Sequence, residues 1–166
     1  GHTVTVDPGE GTASEYHGVL EDEEIAYLES FDVVILHRSL SSGSFNDAPY
    51  QWNELRVPLF CGSGYLPRNS RWFWMDTSHQ RTYWDEIEIL VPDHPVVAGL
   101  GNRIYEYPLD IDHNSPGDVG EGTLVASIIN DNGEEAPMIV AWGPDDEFTA
   151  AGGQVHTHAR LFLPIL

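Results

Sequence analysis

A chain of 166 residues with 41% hydrophobic content is long enough for one sizeable core and too short for two ordinary domains. Its 27 acidic residues outnumber seven basic ones, all of them arginine, and a formal net charge of −20 excludes the broad basic surface that nucleic acids or anionic lipids require. Because no apolar run reaches the ~18 residues of a membrane helix, the sequence predicts one acidic domain without membrane insertion.

The first part of the chain alternates strand and helix patterns. Residues 3–7 alternate β-branched and polar side chains and predict a strand, whereas residues 21–30 begin with acidic side chains and predict a short helix. The continuous apolar run within residues 32–38 predicts a strand covered on both faces. A helix over residues 46–55 and a buried strand over residues 57–61 follow. This order is typical of an α/β fold with a mostly parallel sheet and helices on both faces.

The middle of the chain, residues 66–86, is rich in aromatic side chains and lacks a clean period. It contains Trp72, Trp74 and Trp84, three of the five tryptophans. These rings either form a stacking platform for a sugar or another flat ligand, or anchor a long loop to the core. We favour the anchoring interpretation.

The remainder of the chain has the patterns of β-strands. Residues 123–130 and 136–142, joined through a turn at residues 130–133, predict an antiparallel hairpin appended to the sheet. The final run predicts a last strand that carries His156 and His158 on one face.

Four sequence segments, taken in chain order, resemble those of a known family. They are DVVILHRS, VPLFCGSGYL, DHPVVAGL and GGQVHTHARLFL. This order resembles the class I glutamine amidotransferase-like superfamily, and within it the trehalose-utilisation (ThuA-like) branch and its uncharacterised relatives in environmental bacteria. The resemblance spans most of the chain and implies a single flavodoxin-like domain over residues 1–166. Family members begin with a strand and a long helix that have no counterpart here, so the resemblance implies a fragment of a longer chain or a sheet completed from elsewhere.

The resemblance also gives a role to the phrase VPDHPVVAGL at residues 91–100, which connects a strand to a short helical turn in such proteins. Pro92 and Pro95 then set the backbone, Asp93 caps the turn and Gly99 ends it.

The family's catalytic chemistry maps onto Cys61 as the nucleophile and His156 as its base. The match is incomplete, because Leu59 is large where a tight nucleophile turn needs a small residue, and no acid directly follows the histidine segment. A plain buried cysteine is therefore the favoured interpretation of Cys61, and a cysteine-dependent hydrolase is the alternative.

Ligand binding without catalysis is the function that we favour. In open α/β sheets, ligands bind beyond the carboxyl ends of the strands. Arginine, aromatic rings and small backbone donors at those ends would suit a carbohydrate or carboxylate ligand. The candidate residues are His37, Arg38, Ser39, Gly62, Ser63, Tyr65, Arg68 and Trp72.

A divalent metal site is a further alternative. His156 and His158 on one strand face would hold Zn²⁺ or another divalent ion together with Asp110, Asp112 or His113.

Together with the candidate site residues, the resemblance implies a carbohydrate-associated binding or accessory domain without glutaminase activity. Its expected partners are a small-molecule or carbohydrate ligand and covalently linked neighbouring domains or other copies of itself. A third alternative is a self-assembling module completed by a strand from another chain. The lysine-free, acidic composition favours an extracellular or high-salt environment.

Overall fold

The structure is a computed structural model that describes residues 3–5, 18–38, 40–82, 85–100, 105–107, 111–148 and 158–164. It contains two α-helices, α1 (Asp22–Leu28) and α2 (Pro49–Glu54), and two 3-10 turns, Ser42–Phe45 and Pro95–Val97. The strands are β1 (Val34–Leu36), β2 (Leu59–Cys61), β3 (His79–Thr82), β4 (Asp85–Ile89), β5 (Tyr105–Tyr107), β6 (Ile111–Asn114), β7 (Thr123–Ile129), β8 (Glu135–Trp142) and β9 (Arg160–Phe162).

Seven strands form one mixed sheet in the order β1-β2-β9-β8-β7-β4-β5, and β3 pairs with β6 in a separate antiparallel ribbon. Strands β1, β2 and β9 run parallel, whereas β8, β7, β4 and β5 add antiparallel pairings. The α/β class and the appended β7–β8 hairpin are therefore confirmed. The parallel part is smaller than predicted, because short connections such as the β7–β8 turn join only antiparallel neighbours.

Both helices have local sequence signals at their starts. The Glu24 carboxylate accepts a 2.7 Å hydrogen bond from the Glu21 backbone N–H, and the acidic first turn of α1 complements the helix dipole. Pro49 occupies the start of α2, where its missing N–H costs no helical hydrogen bond. The two predicted helices are thus confirmed. Leu28 of α1 and Trp52 of α2 pack in the same buried hydrophobic cluster.

The two helices pack on the same face of the sheet, which corrects the expectation of helices on both faces for the described residues. The row of partners Val34, Leu59, Arg160 and Trp142 is almost fully buried there. On the opposite face Ile35 is 64% exposed, so the prediction that β1 is covered on both faces is wrong. The reason is that no described helix lies over this side of the parallel strands.

The tryptophans of the middle segment belong to the core. Trp72 and Trp74 have no exposed surface, and their indole N–H groups donate to the Phe45 carbonyl at 2.9 Å and to Asn53 Oδ1 at 2.8 Å. Trp72 also stacks on Trp52 with ring centroids 5.5 Å apart. Trp72 is therefore not a ligand platform, since an anchored indole has no free face. Trp84 lies outside the described residues.

The β7–β8 hairpin turn forms as its sequence predicts. The Asn130 Oδ1 accepts hydrogen bonds from the backbone N–H groups of Asn132 and Glu134, at 3.0 and 2.9 Å. Gly133 takes a φ of +76°, a value that glycine adopts at no steric cost.

The short helical turn predicted within residues 91–100 is present at Pro95–Val97, but its capping residue differs from the predicted one. His94, and not Asp93, is the capping residue, because His94 Nδ1 accepts from the Val96 backbone N–H at 3.3 Å. Pro95 begins the turn, and Gly99 follows it with a φ of +89°.

The described part of the amino-terminal segment, residues 3–5, is not in a strand, and Val4 is 80% exposed. The strand predicted for residues 3–7 is therefore wrong for these three residues, because their alternating pattern buries no face. Within the described ranges, no helix combines the length and the apolar character needed to cross a bilayer.

Candidate ligand-binding site

The carboxyl ends of β1 and β2 lie side by side. The parallel register pairs Leu36 with Cys61, so the segments that follow these two residues leave the sheet at the same edge. The Gly62 backbone N–H donates to the Leu36 carbonyl at 2.8 Å, which fixes the two chain exits against each other. His37 and Arg38 are thereby brought to the edge that carries Gly62 and Ser63, whereas Ser39 lies outside the described residues. Gly62 and Ser63 are themselves buried, so the prediction that they contact a ligand is wrong.

An aromatic stack follows this edge. The Ser63 Oγ accepts from the Tyr65 backbone N–H at 3.3 Å, and the Tyr65 ring stacks on the His79 imidazole. The two ring centroids are 3.9 Å apart with an interplanar angle of 13°. The Arg68 guanidinium carbon lies 5.7 Å from the centre of the Tyr65 ring, within the range of a cation–π contact. All three side chains are half-buried, so each keeps an accessible surface.

Positive charge is concentrated beside this stack. Burial lowers the pKa of Arg68, the nearby Arg71 charge lowers it further, and Tyr65 opposes both effects. The Arg71 guanidinium donates to the Ser70 carbonyl at 2.8 Å and to Ser42 Oγ at 3.4 Å. Neither arginine forms an ion pair with a carboxylate of the described residues, although the chain has 27 acidic residues. Two neighbouring guanidinium groups without carboxylate partners are suited to an anionic ligand.

The environment of Cys61 in the described core is that of a buried, protonated thiol and does not suit a nucleophile. Its side chain has no exposed surface, and its Sγ donates to the Ser63 carbonyl at 3.5 Å. Burial raises the pKa of the Cys61 thiol to about 12, so the thiol remains protonated at neutral pH. His156, the proposed base, lies outside the described residues. The buried-cysteine interpretation therefore fits this environment better than the catalytic one.

Arg160 has a structural position that the sequence did not indicate. Its guanidinium donates to the carbonyls of Asn53, Leu55 and Val57 at 2.9, 2.7 and 2.9 Å, and also to those of His158 and Ala159. Burial lowers the pKa of Arg160 to about 10, which still leaves the group charged at neutral pH. Arg160 thus joins the end of α2 to β2 and β9, and its charge is not available to activate the Cys61 thiol.

The proposed metal ligands are only partly described. His158 lies before β9 and not within it, so the expectation that it projects from a strand face is wrong. His113 is buried in β6, with its Nδ1 2.8 Å from the Asn114 carbonyl oxygen. No group of three metal-ligating side chains occurs among the described residues, which exclude His156 and Asp110 and do not include the side chain of Asp112. Metal binding stays a prediction.

Two members of the site were not identified from the sequence, His79 and Arg71. His79 is 14 positions from Tyr65 along the chain, and no local pattern joins the two rings. Arg71 could have been predicted as a site residue, because it follows Arg68 by three residues in a chain with only seven basic residues.

Comparison with known proteins supports the fold. No family model matches the chain, and no curated protein matches it. Among solved structures, the chain is similar to the cytoplasmic protein STM3548 from Salmonella typhimurium, with a TM-score of 0.55 and 14% sequence identity. The match covers 87% of this chain but only 64% of that one. The two chains therefore share an α/β fold, and the resemblance to the trehalose-utilisation branch stays a prediction.

Proposed function

We propose that this chain is a ligand-binding domain of flavodoxin-like type, and that it binds a carbohydrate bearing a carboxylate, or a similar small anion, at the carboxyl ends of β1 and β2. The observation that carries the proposal is the half-buried stack of Tyr65 on His79 with Arg68 over the tyrosine ring. Glutaminase chemistry at Cys61 is not part of the proposal.

The stack supplies two kinds of contact. His79 covers one face of the Tyr65 ring and the Arg68 guanidinium lies over that ring, so a sugar would pack its C–H groups against the accessible part of the two half-buried rings. A guanidinium group binds a carboxylate through two parallel hydrogen bonds, which fixes the orientation of the ligand as well as its charge. Arg71 adds a second positive charge close to Arg68.

The two alternatives from the sequence have unequal support. The burial and raised pKa of Cys61 argue against a cysteine-dependent hydrolase. Completion of the sheet by a strand from another chain is the second candidate, because β1 stands first in the sheet order and no described strand pairs with its outer edge. A particle larger than 18.5 kDa in sedimentation would support that candidate.

The proposal is tested by calorimetric titration of galacturonic acid and its short oligomers, with neutral galactose as the comparison ligand. We expect the acidic sugars to bind, and we expect Arg68→Gln to weaken them about 10-fold or more, because a hydrogen bond to a charged group contributes ~1.5–3 kcal/mol. The matched control is Arg56→Gln, which removes an exposed arginine outside the stack and should leave binding unchanged.

Two results would contradict the proposal. One is the absence of measurable heat for every acidic sugar in the series. The other is equal affinity in the protein and in its Arg68→Gln variant.

A further inference from the structure

The open face of the sheet is defined here by four residues that lie in register across four strands. Ile35 pairs with Phe60, Phe60 with Leu161, and Leu161 with Ala141. Register partners point to the same side of a sheet, so these side chains form one apolar row. Ile35 is 64% exposed and Phe60 is half-buried, whereas Leu161 and Ala141 pack against a second buried cluster that includes Val97 and Val125.

A groove lies on this face. It has a volume of about 580 Å³ and includes Phe60, Leu161, Val33 and Ala141 among its walls, with His94 and Val96 from the turn after β4 on another side. Val33 is 47% exposed and Val96 is 39% exposed. The groove is separate from the stack of Tyr65, His79 and Arg68, since none of these three residues lines it.

The dimensions and the strand direction favour a helix as the occupant. Parallel strands occur almost only in sheets whose two faces are both covered, usually by helices, and β1, β2 and β9 have α1 and α2 on one face alone within the described residues. Strands β1 and β2, together with the partly covered β9, span roughly 10 Å at a spacing of ~4.8 Å, which accommodates one helix of ~10 Å diameter lying along them.

The charges around the groove indicate which charged residues the polar face of that helix should carry. Asp146 lines the groove, and the exposed Asp32 and Asp93 directly precede two lining residues, Val33 and His94. The guanidinium of Arg160 contributes no free cation there, because the five carbonyls that it contacts hold it within the core. An apolar stripe flanked by lysine or arginine complements such a rim.

We propose that the open face is a docking site for an amphipathic helix with a basic polar flank, contributed by a partner protein. The binding mode is that of a helix laid into a hydrophobic groove, with apolar side chains at helical spacing as anchors. A second copy of this chain is a poorer occupant, because two copies with a net charge of −20 each would bring the same acidic rims together.

The test uses a fluorescein-labelled helical peptide of about 18 residues, roughly 27 Å long, with a leucine stripe and lysine flanks. A second peptide has glutamate in place of every lysine. Binding is measured by fluorescence anisotropy at physiological ionic strength. The protein is compared with Ile35→Asp and Val33→Asp on the open face and with Ile129→Asp as the control. Ile129 is 40% exposed and lies at the other end of β7 from Thr123, about 20 Å from the groove.

This design separates docking from plain charge attraction, because every variant adds one negative charge. We expect saturable binding of the lysine peptide, weakened 10-fold or more by Ile35→Asp and by Val33→Asp and not weakened by Ile129→Asp. The glutamate peptide should not bind. Because both substituted side chains on the open face are about half exposed or more, we expect both variants to fold, and a cooperative urea transition for each verifies this.

Three outcomes would overturn the proposal. The first is tighter binding of the lysine peptide to all three variants, which is the result of unspecific attraction. The second is the absence of binding to the unmodified protein. The third is a dimer in sedimentation that Ile35→Asp dissociates, since a second copy would then occupy the face.

Discussion

The two faces of the parallel strands carry large side chains in very different surroundings. On the covered face, Leu59, Arg160 and Trp142 are each 1% exposed beneath α1, α2 and the aromatic loop. On the open face, the next residues of the same strands, Phe60 and Leu161, are only half-buried. The difference shows that strand composition does not decide burial by itself. What lies over a strand decides it, and that depends on elements distant along the chain.

The largest expected effect belongs to the covered face. Arg160→Met replaces the arginine with an apolar side chain of similar length. The carbonyls of Asn53, Leu55 and Val57 then lose the guanidinium that donates to them. We expect the free energy of unfolding to fall by roughly 5 kcal/mol or more, at ~1.5–3 kcal/mol for each charged hydrogen bond. Urea denaturation followed by tryptophan fluorescence measures it.

The matched control is Arg56→Met, because Arg56 is exposed and should change stability by less than about 0.5 kcal/mol. If the two variants lost equal stability, the assignment of Arg160 as the group that joins α2 to the sheet would be wrong.

Alanine substitutions of two phenylalanines compare the two faces directly, and we expect them to lower the free energy of unfolding by less than Arg160→Met does. Phe162 has no exposed surface and lies on the covered face, whereas Phe60 on the neighbouring strand lines the open groove. We expect Phe162→Ala to cost about 3–5 kcal/mol, because it leaves a cavity, and Phe60→Ala to cost about 1–2 kcal/mol. The measurement is again urea denaturation, and equal losses would mean that something covers Phe60 in solution.

Elements with local signals were predictable from the sequence. The acidic start of α1, Pro49 at the start of α2 and the turn at Asn130 each depend on residues within a few positions of one another. The anchoring interpretation of the aromatic segment was also correct for Trp72 and Trp74. The meeting of the segments after β1 and β2 followed from the alternation of strand and helix, because parallel neighbours end at the same edge.

The remaining features depend on contacts between distant residues. The stack of Tyr65 on His79 needs the loop after β2 to meet β3, and no pattern in either segment encodes that meeting. The contacts of Arg160 span more than 100 positions to reach Asn53, Leu55 and Val57. The apolar run in β1 predicted burial on both faces, but only the face of Val34 and Leu36 is buried and Ile35 on the other face is exposed, because periodicity does not reveal whether a covering element is present.

We propose that a small anionic ligand binds at the carboxyl edge of the parallel strands, beside Tyr65, and not in the groove of the open face. The most direct test is an NMR titration of isotope-labelled protein with galacturonate, which follows backbone and aromatic resonances together. We expect saturable shifts centred on Tyr65, Arg68 and His79, with the resonances of Val33 and Ile35 unchanged. Shifts centred on Val33 and Ile35, or no shifts at all, would contradict it.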